Sequence, residues 1–386
     1  MAERENSGQS QAVFSPKTKI PQQTNRESSP VALIMAGGGG TRFWPMSRPE
    51  LPKQFLKLLG QESLLEATLN RVSRLVNPAN TYICATASQK EIFQKHLPTF
   101  KNLILEPEAR NTAPCLMLSL WELLSQGYPP ETVMIVLPAD HHIEAESVFQ
   151  TVLKKAMACA VATGNLITLG ITPRSAHTGY GYIEVDPSAT ASGANHDLFP
   201  KRGANHDALP VKRFLEKPDK AKAETFIQSK HFFWNSGMFV WTLKALQKAF
   251  ETHLPEEWAR LCRDGKKAYP SLKAQPIDIA VMEKSDHIFM IPADMGWSDL
   301  GSWDALYQLK ATSADENVTI SGKTLLVESK GCFVKVPLHF EVALVGVRDL
   351  IVVEDNNKLL IAHRGHDQKV KEISNHFSEL SRKDTP

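Results

Sequence analysis

Apolar and polar positions follow two rhythms along this chain. Residues 31–36 are a short, almost wholly apolar run that stops at glycine, the pattern of a strand buried on both faces of a parallel sheet. Leu65, Leu69, Val72 and Val76 then recur at helical spacing. Apolar runs at 81–85, 102–105, 132–137 and 166–169 predict further strands, and the stretches 89–96, 113–124 and 148–162 predict helices between them. Buried strands alternating with helices predict a doubly wound α/β sheet, whose ligands collect at the carboxyl ends of the strands.

After Gly179 the rhythm changes. Strand-like runs at 180–185, 211–216 and 239–242 interleave with helical runs near 221–228, 243–250 and 277–284. Residues 193–197 (GANHD) recur as 203–207, which reads as growth tolerated in a surface loop. From 317 to 362, β-branched runs separated by Gly or Asp/Asn pairs predict a small β domain, and Val370, Ile373, Phe377 and Leu380 predict one amphipathic helix after it. The chain therefore divides into a polar, disordered tail (1–30), a principal α/β domain (31–312) and a small β-rich domain ending in a helix (313–386).

Composition narrows the partners. With 44 basic against 42 acidic residues, the formal charge of +2 argues against a nucleic acid polymer, so any affinity for anions must be local. No uninterrupted apolar run is long enough for a membrane span, and the first 30 residues lack the apolar centre of a secretion signal. The five cysteines are odd in number, far apart and never in a CxxC pair, which disfavours a zinc knuckle or disulfide framework and suits a reducing cytoplasm.

Local anion affinity has an obvious address. Directly after the first strand come Gly37, Gly38, Gly39 and Gly40, then Arg42, Arg48, Lys53 and Lys57 against one acid, Glu50. Glycines let backbone N–H groups approach a ligand closely, and the cations favour an anionic one. A P-loop is excluded, because Gly37 is followed five residues later by Arg42 and no Gly-Lys-Ser/Thr stands at a suitable offset. A dinucleotide fingerprint fails as well, because Arg42 occupies its third glycine position. Pro45, Pro49 and Pro52 stiffen the segment that carries Arg42 and Lys53.

In its FWPMSRPELPKQFL form, this stretch resembles the signature of the sugar-phosphate nucleotidyltransferases, and among them the mannose-1-phosphate guanylyltransferases. The likeness continues in order through EPEARNTAP (106–114), LPADH (137–141), TGYGYIE (178–184), FLEKP (214–218), WNSGMF (234–239), AVMEKS (280–285) and WSDLGSW (297–303). It implies a Rossmann-like mixed sheet with a small C-terminal β domain, a catalytic domain over 31–312, and transfer of GMP from GTP to mannose 1-phosphate. It further implies a Mg²⁺ cofactor and a possible homodimer. Relatives that also isomerise mannose 6-phosphate carry a further metal-binding domain, so a single activity is expected here. Two rival readings stand beside this one: a transferase using another nucleotide or sugar, and a silent sugar-nucleotide-binding regulator.

The reaction needs no protein nucleophile, only alignment and neutralisation of phosphate oxygens. By resemblance, Arg42 and Lys53 touch the triphosphate, and Ala36, Gly37, Gly38, Gly40, Thr41, Asn111 and Ala113 bind the nucleotide. Asn111 has the alternative role of a helix cap. Asp140 closes an apolar run at a strand's carboxyl edge, where it either binds a metal or caps a turn. Asp299 either binds a metal or caps a helix beginning at Leu300. Together the two match the family's Mg²⁺-binding pair. His141 and His142 point to opposite faces of an extended segment and have no ligand partner at zinc spacing. For the sugar, Gly181 interrupts a predicted strand where a ligand approaches or the strand bulges. By resemblance Glu216 accepts sugar hydroxyls, Lys217 contacts the sugar phosphate and Asn235 contacts the sugar, although Asn235 also fits a turn.

Overall fold

The computed structural model describes residues 29–186 and 208–383. The tail up to residue 28 and the repeated loop 193–207 lie outside the described residues. The strands are β1 (Val31–Met35), β2 (Thr81–Thr86), β3 (Leu103–Glu106), β4 (Val133–Pro138), β5 (His142–Ile143), β6 (Leu166–Ile171), β7 (Tyr182–Val185), β8 (Leu209–Leu215), β9 (Phe232–Thr242), β10 (Ile288–Pro292) and β11 (Trp297–Ser298). Among the described residues nine of them form one sheet in the order β3-β2-β1-β4-β9-β6-β10-β8-β7. β1, β2, β3 and β4 run parallel, as do β6 and β10, whereas β9 runs antiparallel to β4 and β6. The sheet is therefore mixed and doubly wound, with apolar side chains on both faces.

The alternation of β1 shows how both faces fill. Val31 and Leu33 belong to one buried cluster with the helix Thr112–Ser125, while Ala32 and Ile34 belong to a second with the helices Leu64–Ser73 and Glu146–Thr163. Each of these four β1 side chains is fully buried, which is why the strand reads as a continuous apolar run. Ser63 caps the helix Leu64–Ser73 in a reciprocal capping box with Glu66.

The rest of the chain forms β12 (Val318–Ser321), β13 (Lys323–Val327), β14 (Phe333–Lys335), β15 (Glu341–Val345), β16 (Leu350–Asp355), β17 (Lys358–His363) and the helix Asp367–Lys383. Strands β12 to β16 alternate between two sheets, β12, β14 and β16 pairing in parallel, as do β13 and β15, and β17 closes the first sheet antiparallel to β16. This is the register of turns stacked in a coil. A third cluster joins the coil to the glycine-loop segment, packing Phe43, Trp44, Leu300 and Trp303 with Phe333 and Ile351.

Four sequence expectations change. The run at 239–242 is the end of an eleven-residue strand, so Asn235 lies inside β9 and not in a turn; the register shift against β6 and the positive φ of Gly237 (66°) bend the strand there. Gly181 precedes β7 and does not interrupt it, and its carbonyl accepts the N–H of Asn235 at 2.9 Å. The helix expected at Leu300 begins at Trp303, because Leu300 takes a φ of 43° and Ser302 supplies the cap. Asp299 is therefore not that cap. The helix expected over 277–284 breaks at Val281 into a short helix Ile277–Ala280 and a 3-10 turn Met282–Lys284.

Candidate active site

The glycine segment leaves β1 with its backbone stapled at several points. Ala36 N–H donates to the Cys84 carbonyl at 2.8 Å, Gln54 donates to the Ala36 carbonyl at 2.9 Å, and Ser47 donates to the Gly39 carbonyl at 2.8 Å. The exposed amides of Gly37, Gly38 and Gly39 have no protein partner among the described residues. They stand ready for an acceptor outside the chain.

Gly37 and Gly38 open onto a cavity of about 560 Å³ at the carboxyl edge of the sheet. Gly37, Gly38, Asn111, Gly181, Asn235 and Asp299 all line it, so residues spread over more than 260 positions meet at one hollow. Asn111 combines two of its readings. It accepts the Thr112 N–H at 2.8 Å as a helix cap, and it also lines the cavity.

Asp299 connects the cavity to the cationic centre. Lys53, 6% exposed, donates to the Asp299 carbonyl at 2.6 Å and pairs with the Asp140 carboxylate at 2.9 Å. Burial alone would push the Asp140 carboxyl up. The charge and hydrogen bond of Lys53, with His141, outweigh burial and hold it below the ordinary carboxylate range. The Asp299 carboxylate accepts from Tyr180 at 2.8 Å and from Gly301 N–H at 3.0 Å. Lys53 thus joins the Asp140 carboxylate to the backbone of Asp299, and the two aspartates supply hard oxygens of the kind that a divalent ion such as Mg²⁺ takes.

Other predicted residues stand apart from the cavity wall. Ala36 and Ala113 are buried, and Ala113 gives its N–H to the Gln275 carbonyl. Gly40 and Thr41 begin the 3-10 turn Thr41–Phe43 that carries Arg42, whose Nε is buried without a hydrogen-bond partner. Glu216 and Lys217 are exposed just beyond β8, and Glu216 faces Asp278 closely enough to help raise its carboxyl above its usual range, after the larger effect of burial.

The cavity also holds functional candidates that sequence reasoning missed or set aside. Asp278 accepts from the Asn235 amide at 2.7 Å while the Asn235 carbonyl oxygen accepts from Gly237 N–H at 3.1 Å, which fixes the amide's orientation. An aspartate inside the apolar stretch PIDIA was the available signal. His141 Nδ1 accepts from Trp297 Nε1 at 3.1 Å, and burial lowers its pKa to about 4, so it is neutral at pH 7.

Gly40 is a point at which fold and site depend on one residue. Its φ is 63°, and an added Cβ would lie 2.1 Å from Lys53 Cβ. Gly40→Ala is expected to cost roughly 1–2 kcal/mol for the left-handed backbone and to push Lys53 off Asp140. Turnover assayed beside a denaturation curve checks this, and an alanine variant with unchanged turnover would remove the link.

Two family models match the chain. The nucleotidyl transferase family model matches residues 31–316, and a MannoseP isomerase/GMP-like beta-helix domain matches 322–376. This chain belongs to the nucleotidyl transferase family. The nucleotidyltransferase is 32% identical over 376 residues to mannose-1-phosphate guanylyltransferase of Escherichia coli, covering 92% of this chain and 78% of that one. It is 33% identical to the xanthan biosynthesis protein XanB of Xanthomonas campestris pv. campestris (strain B100), covering 92% and 74%. A crystal structure described as mannose-1-phosphate geranyltransferase from Thermus thermophilus superimposes with a TM-score of 0.79 at 30% identity, covering 91% of this nucleotidyltransferase and 99% of that chain. No described helix is long and apolar enough to cross a membrane.

Proposed function

We propose that this enzyme transfers GMP from GTP to α-D-mannose 1-phosphate, releasing pyrophosphate and forming GDP-mannose. The observation that carries the reading is that unpaired glycine amides and Asp299 line one cavity, while Lys53 ties Asp299 to Asp140 beside it. In this reading the amides of Gly37 to Gly39 receive phosphate oxygens, and the orphaned Nε of Arg42 finds its acceptor there. Lys53 neutralises charge that develops as the sugar phosphate attacks the α-phosphorus in line. Asn235, oriented by Asp278, and Gly181 meet the sugar, with Glu216 and Lys217 closing over it from beyond β8. Asp140 and Asp299 would hold Mg²⁺, which when bound supplies charge neutralisation for the phosphate oxygens.

The guanine and mannose preferences rest on the relatives' names and on the sequence resemblance. Five unpaired thiols suit a cytoplasmic enzyme. Exposed Leu325, Val327, Leu338 and Val345 on the terminal coil support pairing of two chains, which light scattering tests. The deciding experiment is a pyrophosphate-release assay crossing GTP, UTP and dTTP with mannose and glucose 1-phosphates. GTP with mannose 1-phosphate is expected to be fastest, by tenfold or more. Preference for another pair overturns the substrate assignment, and nucleotide binding without pyrophosphate release overturns the activity.

A further inference from the structure

Three residues far apart in sequence form a nest to which the proposed transfer assigns no role, although two of them line its cavity. Cys84 near the end of β2, Glu106 at the end of β3 and Cys115 in the first turn of the helix Thr112–Ser125 are all buried, and their ligating atoms lie within 4.8 Å of one another. Buried thiols alone are ordinary core filling. A carboxyl group in the same nest is not, because packing has no need of an acid there. Its described hydrogen-bond partner is the Tyr269 hydroxyl, which donates to one oxygen. The other oxygen is directed toward the glycine loop, since a Cβ placed on Gly37 would lie 3.7 Å from it.

We propose that Cys84, Glu106 and Cys115 bind one thiophilic divalent cation of the zinc and cadmium class at the floor of the cavity, and that the bound ion opposes nucleotide binding. Tetrahedral coordination with bonds of about 2.0–2.3 Å places ligand atoms roughly 3.5–4 Å apart, a contraction that side-chain rotation supplies. Two soft sulfurs and one carboxylate select this class over Mg²⁺, which the hard pair Asp140 and Asp299 suits. Binding balances as two metal–sulfur bonds formed for two thiol protons released to solvent. Glu106 and Cys115 both line the cavity, so three protein ligands leave a fourth position facing it. An ion at Glu106 and Cys115 would occupy the same side of the cavity onto which Gly37 and Asn111 open. Only the effect on nucleotide rests on the proposed function; the cation site itself does not.

The test titrates Cd²⁺ into the full, metal-free chain under a phosphine reductant, which excludes disulfides, and follows the ultraviolet sulfur-to-cadmium charge-transfer band. One equivalent is expected to bind. Cys84→Ser and Cys115→Ser should each weaken binding tenfold or more, as should Glu106→Gln, which keeps both thiols and a carbonyl acceptor for Tyr269. Cys262→Ser, outside the nest, should leave the band unchanged. If the serine variants do not fold, Glu106→Gln decides. Absence of the band in folded wild type, or a band that survives these substitutions, overturns the site. In a second arm, one equivalent of Zn²⁺ with excess Mg²⁺ should raise the Kd for GTP at least fivefold in wild type but not in Cys84→Ser. An unchanged Kd overturns the antagonism. Failure of GTP to bind without Zn²⁺ would instead defeat the proposed function and with it the antagonism, while the cadmium band still decides the cation site.

Discussion

Lys53→Ala is expected to lower turnover about 10²–10³-fold while the protein remains folded, the size of loss that follows removal of one aligned transition-state donor. The reason lies in the company Lys53 keeps. Its ammonium is buried against the Phe43 ring, 5.8 Å from the centroid, and holds both the Asp140 carboxylate and the Asp299 carbonyl. Without it, burial becomes the dominant influence on Asp140 and the carboxyl moves up. The sign for stability follows. In the parent the lowered Asp140 pKa contributes stability that is present above the unfolded-state value and lost as pH falls through the folded value. In Lys53→Ala that contribution disappears, and acid unfolding is expected at higher pH. Pyrophosphate release and circular dichroism against pH measure both effects. Turnover equal to the parent would exclude Lys53 from the chemistry.

Trp303→Ala is expected to destabilise the protein by about 3–5 kcal/mol, the range for emptying a large aromatic site in a packed core. Trp303 is 1% exposed, packs edge-on to Phe43 at 4.8 Å and lies 5.8 Å from Phe333 of the terminal coil. Its Nε1 donates to the Trp44 carbonyl at 2.9 Å, so the ring pins the turn that follows the glycines. The same substitution should therefore raise the KM for nucleotide. Trp303→Phe keeps an aromatic ring but loses the hydrogen bond, and should cost only about 1–3 kcal/mol. Denaturant midpoints with nucleotide kinetics separate the two variants. A loss below about 1 kcal/mol in Trp303→Ala would mean that this cluster does not bind the coil to the larger domain.

The sequence made the first half of the fold readable because β1, β2 and β4 are buried on both faces and so are mostly apolar. It was less informative where strands carry functional polar residues. Asn235 and Ser236 sit inside β9, and their polarity mimicked a turn. Strand β10 went unnoticed because four apolar residues between Asp286-His287 and Pro292 give little periodicity to read. Within the candidate site, Lys53 was legible as a cation on proline-stiffened backbone, and Asp140 and Asp299 as a pair through the family resemblance. The grouping of Cys84, Glu106 and Cys115 was not, because it arises only when β2, β3 and a helix pack together. Spacing rules for cysteine detect local clusters and miss those assembled by a sheet.

The helix Asp367–Lys383 lies against the turn that carries Arg42, with Val370 buried and Phe377 stacked on Trp44 at 5.2 Å and an interplanar angle of 7°. Coupling between two such regions is reciprocal. In the proposed reading, a triphosphate that orders the turn must, by the same free energy, seat the adjoining helix more firmly, and loosening that helix must weaken the hold on triphosphate. A remote segment thus becomes a handle on affinity, one that protease protection reports without any need to observe catalysis.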